Sequence, residues 1–141
     1  HVADQRLSKD ELQKIITRAP FHQWLGLEVT EVTADSIVVR AKWREEFVVN
    51  PEGRYTHGGI LATLIDVVAD YALAADLGKP VPTIDLRVDY HRAAMPGDLI
   101  VTGRVIRGGS QFATVEAEVA SEEGKLLASG RGTYFSGLLK K

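Results

Sequence analysis

One segment, from Gly59 to about Leu77, constrains the fold of this chain more than any other feature. Its residues are apolar almost all round a helix, and Gly78 followed by Pro80 ends it. Three aspartates lie within it, and an aspartate near a bilayer centre costs roughly 2.5 to 3.5 kcal/mol, so the segment is not a membrane span. A helix this apolar must instead be covered on most sides by other parts of the chain.

Strands supply that cover. Alternating apolar and polar residues predict a β-hairpin over residues 25–44, and glycine, proline or charged turns delimit four more strands. These four are expected at Thr83–His91, Asp98–Arg107, Gln111–Ser121 and Lys125–Phe135. Their connections are short, so consecutive strands must run antiparallel. Ser8 and Glu11 have capping-box spacing and predict a short amphipathic helix that ends at Pro20.

The order of hairpin, long helix and four-stranded meander is similar to that of the hotdog fold. We therefore predict an α+β hotdog fold, in which a six-stranded antiparallel sheet wraps around one long central helix, with a short N-terminal helix. Residues 1–141 are expected to form one domain, since the chain has the size of a single core and no linker or internal repeat. Residues 1–7 are expected to be disordered or a remnant of cloning.

Composition excludes several classes of function. The 17 Lys and Arg against 19 Asp and Glu give a net charge of -2, so no basic field gathers nucleic acid or an anionic membrane. The absence of cysteine excludes disulfides, thiol nucleophiles and iron–sulfur clusters. No signal peptide is visible, and we expect a cytoplasmic protein. The four histidines are scattered without ligand spacing, so no metal or other cofactor is expected.

A polar stripe interrupts the apolar helix. Thr63, Asp66 and Asp70 lie three or four residues apart and so share one helix face. Asp66 has apolar neighbours on both sides, where a carboxylate loses hydration unless another group pairs with it. Two interpretations stay open: the stripe is the solvent face of the helix, or Asp66 is a functional carboxylate.

The tripeptide His57-Gly58-Gly59 outlines an oxyanion site, because its amides lie at the positive end of a helix dipole and its glycines let a ligand approach closely. Alone it is a weak signal, since a loop histidine and an unusual helix start also explain it. Gly58 and Asp66 are eight residues apart, about 12 Å along a helix, so one chain cannot bring both to the same carbon. Two antiparallel helices across a twofold axis would do so, which predicts at least a dimer.

Several motifs occur together with this spacing and strand order. They are Asn50-Pro51-Glu52-Gly53, His57-Gly58-Gly59, Asp66, the strand Asp85–Tyr90 and the turn Pro96-Gly97-Asp98. Over residues 20–137 the chain resembles the hotdog-fold acyl-CoA thioesterases of the phenylacetate-degradation, or PaaI-like, type. The resemblance implies a hydrolase that cleaves an aryl or medium-chain acyl-CoA to free acid and coenzyme A, with no cofactor beyond the substrate itself.

The resemblance also implies roles for single residues. Asp66 acts as general base or nucleophile, and the Gly58 amide polarises the thioester carbonyl. Asn50 orients the water or the substrate, and Thr83 falls where a serine or threonine hydroxyl lies near the reaction centre. We assign His57 to fixing the loop and the start of the helix.

For the coenzyme A moiety the resemblance implies a path along one strand end and one turn. The residues on this path are Gly59, Tyr90, Arg92, Arg107, Gly108, Gly109 and Ser110. The two arginines would meet phosphate groups, and a solvated strand end is the alternative for each. Trp24, Phe47 and Tyr71 would line an aromatic acyl pocket, with core packing as the alternative.

A homotetramer is expected from the family. An exposed sheet face would account for it if that face carries Val88, Val101, Val105, Val115 and Val119. Two rival functions stay open on the same fold: an acyl-CoA-binding module without turnover, and an acyl-CoA hydratase or dehydratase. A binding module gains nothing from a desolvated carboxylate, and a hydratase needs a histidine paired with a carboxylate, which His57 before two glycines fits poorly.

Overall fold

The computed structural model describes residues 6–137. Helices α1 (Lys9–Ile16) and α2 (Pro20–Leu25) precede strands β1 (Leu27–Val32) and β2 (Ser36–Ala41). A 3₁₀ turn (Glu45–Phe47) then leads to the long helix α3 (Gly58–Leu77). The remaining strands are β3 (Thr83–Tyr90), β4 (Leu99–Gly108), β5 (Phe112–Ser121) and β6 (Leu126–Phe135). The long helix and the four later strands lie within one residue of their predicted bounds.

The six strands form one antiparallel sheet in the order β1-β2-β4-β5-β6-β3. Strand β3 follows α3 in the chain but pairs with the last strand, β6, and so occupies one edge of the sheet. Helix α3 packs across the sheet and contacts β2 and all four later strands. The predicted hotdog architecture is confirmed.

The N-terminal region holds two short helices where the sequence predicted one. Ser8 caps α1 in a capping box with Glu11, as its spacing indicated. Pro20, expected to end the helical region, begins α2 instead, because a residue at the first helical position has no intrahelical bond for its amide to lose. Gly26 ends α2 in the left-handed conformation, at φ 67°.

Residues 6 and 7 belong to the folded domain. Arg6 forms an ion pair with Asp76 in the last turn of α3, and the Leu7 amide donates to the Ala75 carbonyl oxygen at 2.9 Å. The expectation of disorder is therefore wrong for these two residues, because they are tied to the end of α3. Residues 1–5 of that expectation lie outside the described residues.

The strand valines face the helix. The five that were expected on an exposed face are buried in the core or packed against it: Val88, Val101, Val105, Val115 and Val119. That expectation was wrong, because strand alternation puts these positions on the helix side and charged groups on the other. The outer face carries Arg104, which pairs with Glu116, and Arg131. The tetramer stays a prediction, and these five valines do not support it.

Two strand glycines let α3 lie close to the sheet. A Cβ atom on Gly103 would fall 2.8 Å from the carbonyl oxygen of Val68, and one on Gly130 would fall 2.8 Å from Cγ2 of Ile65. Both distances are shorter than real carbon contacts, so only glycine fits there.

Within residues 6–137, no helix combines the length and the apolar character that crossing a membrane requires.

Candidate active site

Helix α3 begins at a loop that His57 holds in place. His57 is the N-cap residue, and its Nδ1 accepts a hydrogen bond from the Gly59 amide at 2.7 Å. The His57 amide donates to the Phe47 carbonyl oxygen at 2.8 Å and ties the loop to the 3₁₀ turn. The Gly59 amide is therefore occupied, whereas the Gly58 amide is the first in the helix and has no intrahelical acceptor. The helix start thus presents the Gly58 amide to an anion.

Tyr90, at the end of β3, packs directly on this helix start. Its hydroxyl donates to the Gly58 carbonyl oxygen at 2.8 Å. A Cβ atom on Gly58 would lie 3.2 Å from the Tyr90 ring, so glycine at this position gives the ring its space. A hollow of about 380 Å³ beside Gly58 is lined by Thr56, Leu61, Tyr90 and Arg92, among others.

Asp66 lies two turns further along α3, half-buried against the sheet. Its Oδ1 accepts hydrogen bonds from the Thr83 hydroxyl at 2.8 Å and from the Tyr134 hydroxyl at 2.9 Å. Within residues 6–137 no hydrogen bond reaches its other oxygen, Oδ2. Asp66 is therefore held by the sheet through one oxygen and keeps the second available for chemistry.

A β-bulge places Thr83 beside Asp66. The pairing of β3 with β6 shifts between Thr83 and Asp85, so that Thr83 lies opposite Tyr134 and Leu86 lies opposite Gly132. Without the bulge, strict alternation would put Thr83 on the same face as Asp85, away from the helix. The resemblance pointed to Thr83, but the residue pattern alone does not show how it reaches the helix.

Tyr134 is a site residue that sequence reasoning missed. Its side chain is fully buried on the helix side of β6, and its ring fills the space over Gly132, where a Cβ atom would lie 2.5 Å from the tyrosine Cε1. Burial raises the pKa of the Tyr134 hydroxyl, and the charge of Asp66 raises it further. One sequence signal could have indicated it: Tyr134 alternates with Gly130 and Gly132 along β6 and so lies on the same face of the strand. A tyrosine buried on that face needs a hydrogen-bond partner for its hydroxyl.

Asp70 lies one turn beyond Asp66 on the same helix face. Its Oδ1 accepts a hydrogen bond from the Val81 amide at 3.0 Å. Burial raises the pKa of Asp70 from 3.8 to about 7; the Val81 hydrogen bond opposes this rise, and the charge of Asp66 adds to it. The two aspartates share a groove of about 430 Å³, lined otherwise by Phe21, His22, Thr63, Val67, Tyr71 and Pro80.

Known proteins match this chain along most of its length. The family model described as Thioesterase superfamily matches residues 53–128. The chain belongs to the thioesterase superfamily. Human acyl-coenzyme A thioesterase 13 is 32% identical over 133 residues, which cover 90% of this chain and 93% of that protein. The Escherichia coli medium/long-chain acyl-CoA thioesterase YigI is 27% identical over 141 residues, which cover 89% of this chain and 90% of that protein.

An X-ray structure of another thioesterase superfamily protein is 50% identical, with a TM-score of 0.88, and covers 90% of this chain and 96% of that chain. The predicted hotdog thioesterase family, and with it a thioester hydrolase, is confirmed.

In this thioesterase Asn50 holds its own loop. Its Oδ1 accepts from the Gly53 amide at 2.6 Å, and its Nδ2 donates to the Tyr55 hydroxyl at 3.3 Å. The Asn50 carbonyl oxygen accepts from the amide of Arg54, which has a left-handed φ of 65°. Both side-chain groups of Asn50 are thus used within residues 50–55, and neither bonds to Asp66 or Gly58 in the same protomer.

The predicted coenzyme A path is divided between the two ends of the sheet. Tyr90 ends β3 opposite Ala128, next to the start of α3, and Arg92 donates to the Leu126 carbonyl oxygen at 3.1 Å. Gly59 lies in the first turn of α3, at this same end. The remaining path residues lie at the β4–β5 turn, at the end where Thr83 and Tyr134 lie: Arg107, Gly108, Gly109 and Ser110. One protomer therefore does not bring the two halves together.

Of the three aromatic residues proposed for an acyl pocket, only Tyr71 lines the groove beside Asp66. Phe47 is fully buried and makes an edge contact with Trp24 at 5.7 Å between ring centroids. The packing interpretation therefore holds for Phe47, whereas Trp24 is 37% exposed and stacks on Phe21 at 6.4 Å between ring centroids. Phe21, which the sequence did not single out, lies in the groove and is half exposed.

Proposed function

We propose that this thioesterase hydrolyses an acyl-CoA thioester to the free acid and coenzyme A, at a site shared by two protomers. Asp66 of one protomer supplies the base or nucleophile, and the Gly58 amide of the other polarises the carbonyl. The observation that carries the proposal is the Asp66 carboxylate, which Thr83 and Tyr134 hold through Oδ1, while none of residues 6–137 forms a hydrogen bond to Oδ2. Human and E. coli relatives that are named acyl-CoA thioesterases support the substrate class.

The unpaired edge of β3 supports the shared site. At one end of β3, Thr83 bonds to Asp66; at the other end, Tyr90 bonds to Gly58. The β3 strands of two protomers can pair antiparallel about a twofold axis that passes between Leu86 and Arg87. In that arrangement Thr83 of each protomer lies opposite Tyr90 of the other. The same operation moves Asp66 of one protomer toward Gly58 of the other, across the 12 Å or so that separates them along one helix.

The same pairing joins the divided coenzyme A path. It puts Arg92 of one protomer at the same end of the sheet as the Arg107–Ser110 turn of the other. The edge also has exposed apolar side chains to cover, since Ile84 is 57% exposed and Tyr90 is 55% exposed. Edge pairing between protomers would remove both the open hydrogen-bonding edge and this apolar surface from water.

The proposed reaction uses two groups, the Gly58 amide of one protomer and the Asp66 carboxylate of the other. The carbonyl oxygen gains negative charge in the transition state, and a preorganised amide at a helix N-terminus stabilises it; losing one such donor costs roughly 10²- to 10³-fold in rate. Oδ2 of Asp66 either takes a proton from the water that attacks the carbonyl carbon or attacks that carbon itself to give a mixed anhydride, which water then hydrolyses to release the free acid and regenerate the Asp66 carboxylate. In both routes the C–S bond breaks, and the coenzyme A thiolate leaves and takes up a proton.

The groove beside Asp66 suits an apolar acyl group. Phe21, Val67 and Tyr71 supply aromatic and aliphatic walls next to the carboxylate. Such walls favour an aryl or medium-chain acyl group over an anionic one, since an anionic group entering the groove would lose hydration and face the carboxylate of Asp66.

Thiol release from aryl and medium-chain acyl-CoAs tests the function. We expect turnover by the wild type, a loss of at least about 10²-fold in Asp66→Asn and Asp66→Ala, and little change in the matched control Asp35→Asn, in the β1–β2 turn. Binding without turnover would favour the acyl-CoA-binding module instead. Hydration of an enoyl-CoA would favour the hydratase, although His57 already uses Nδ1 on the Gly59 amide.

Mixing two inactive variants tests the shared site. Gly58→Pro removes the amide donor at a position where proline suits a helix, and the exposed Tyr90 ring has room to move from the added carbons. In a heterodimer with Asp66→Asn, one of the two sites keeps both wild-type groups. Random reassociation should therefore recover about a quarter of wild-type activity. No recovery, despite heterodimers that are detected by mass, would mean that each protomer carries its own complete site.

A further inference from the structure

We propose that Tyr134 is a positioning residue, which with Thr83 holds Oδ1 of Asp66 and so makes Oδ2 the oxygen that reacts. This inference rests on the proposed function, in which Asp66 is the reacting group. Tyr134 does not touch the reacting atoms; it acts through Asp66.

The two hydroxyls reach one oxygen from two neighbouring strands. Oδ1 of Asp66 accepts from Thr83 on β3 at 2.8 Å and from Tyr134 on β6 at 2.9 Å. A carboxylate held at one oxygen by donors from two directions cannot turn freely about the bond that carries it. Oδ2 therefore keeps a fixed direction, which matters because an error of about 1 Å in a reacting group can cost 10²-fold in rate.

Tyr134 is the rigid member of the pair. Its side chain is fully buried and its ring is seated over Gly132, on a strand that pairs on both sides. Thr83 lies on the exposed edge strand. The Tyr134 hydroxyl also lies 3.1 Å from the carbonyl oxygen of Asp66, but its single proton goes to the nearer acceptor, Oδ1 at 2.9 Å.

The Tyr134 hydroxyl remains a donor at neutral and mildly alkaline pH. Burial and the neighbouring Asp66 charge both raise the pKa of Tyr134, so the phenol stays protonated. A neutral, buried donor that faces a carboxylate is suited to holding it and is unsuited to removing a proton from water.

Tyr134→Phe removes the hydroxyl and keeps the ring. We expect kcat for acyl-CoA hydrolysis to fall about 10-fold while KM stays within about twofold, since the substrate does not contact Tyr134. A matched control is Thr133→Val, which removes a hydroxyl from the adjacent β6 residue on the opposite face of the sheet. Its kcat should be unchanged.

A double variant separates positioning from general damage to the fold. In Tyr134→Phe the Thr83 hydroxyl still holds Oδ1, and in Thr83→Val the Tyr134 hydroxyl does. The Tyr134→Phe/Thr83→Val enzyme should therefore lose more kcat than the product of the two single losses. An unchanged kcat in Tyr134→Phe, or losses that multiply independently, would overturn the positioning role.

Crystal structures keep this test independent of the proposed function. In the wild type the Asp66 side chain should occupy one rotamer with Oδ1 toward Thr83 and Tyr134, and in the double variant it should rotate or occupy two rotamers. One unchanged rotamer in the double variant would refute the inference, even if acyl-CoA hydrolysis is confirmed. If the wild type shows no thioesterase activity but the Asp66 side chain rotates in the double variant, the proposed function is refuted. The conclusion that Thr83 and Tyr134 hold Oδ1 of Asp66 then still stands.

Discussion

Asp70→Asn replaces an ionisable group in the groove by a neutral group of the same shape. The carboxylate is half-buried next to Asp66, and this partial burial raises its pKa from 3.8 to about 7. Asparagine retains an oxygen that can accept the hydrogen bond from the Val81 amide, now 3.0 Å from Asp70 Oδ1. The variant therefore removes the titration and keeps the contact.

The direction in which pH changes the free energy of unfolding follows from whether the folded or the unfolded chain binds the Asp70 proton. Below pH 3.8 Asp70 is protonated in both the folded and the unfolded chain, so its ionisation does not lower the free energy of unfolding. Between about pH 4 and 7 the unfolded chain releases the proton and the folded protein keeps it, so stability falls as pH rises. Above pH 7 the cost is constant, at about 4 kcal/mol for a rise from 3.8 to about 7, since one pKa unit is worth about 1.4 kcal/mol.

Urea unfolding of the wild type and Asp70→Asn, at one protomer concentration and at half-unit steps from pH 4 to 8, measures this difference. The two proteins should be similar near pH 4, and the variant should become more stable by up to about 4 kcal/mol near pH 8. The exposed control Glu123→Gln should follow the wild type. A difference in stability that does not change with pH, or a variant that is less stable than the wild type at pH 8, would show that Asp70 does not retain its proton in the folded protein.

Three further predictions concern the core, the edge strand and the first helix. Gly132→Ala puts a Cβ atom 2.5 Å from the buried Tyr134 ring and should lower both kcat and the free energy of unfolding, the latter by about 1 to 3 kcal/mol. Gly108→Ala is the stability control because the space around Gly108 is open, and an equal loss of stability in the two variants would contradict the packing argument. Ile84→Lys charges the exposed edge and should shift the protein toward monomers in light scattering, with loss of activity; an active, unchanged oligomer would rule out edge pairing at β3. Ser8→Ala removes the α1 capping box and should cost about 1 kcal/mol in chemical denaturation, against no cost if the cap is dispensable.

Much of the architecture was predictable from the sequence. The long apolar helix, the four later strands and the capping box are encoded by residues close together in the chain, through hydrophobic period, turn residues and caps. The family followed from motifs at fixed spacing, and Asp66 was marked by its apolar neighbours. Pro20 was misinterpreted because proline is compatible with the first turn of a helix as well as with the end of one.

The surroundings of Asp66 were decided only by the tertiary structure. Thr83 is 17 residues from Asp66 in sequence and Tyr134 is 68 residues away, and they meet because β3 pairs with β6 and a bulge turns Thr83 toward the helix. Strand order and a one-residue shift in register depend on how the whole sheet closes over the helix, and no local period records them. The raised pKa of Asp70 likewise comes from burial, which only the packed chain creates.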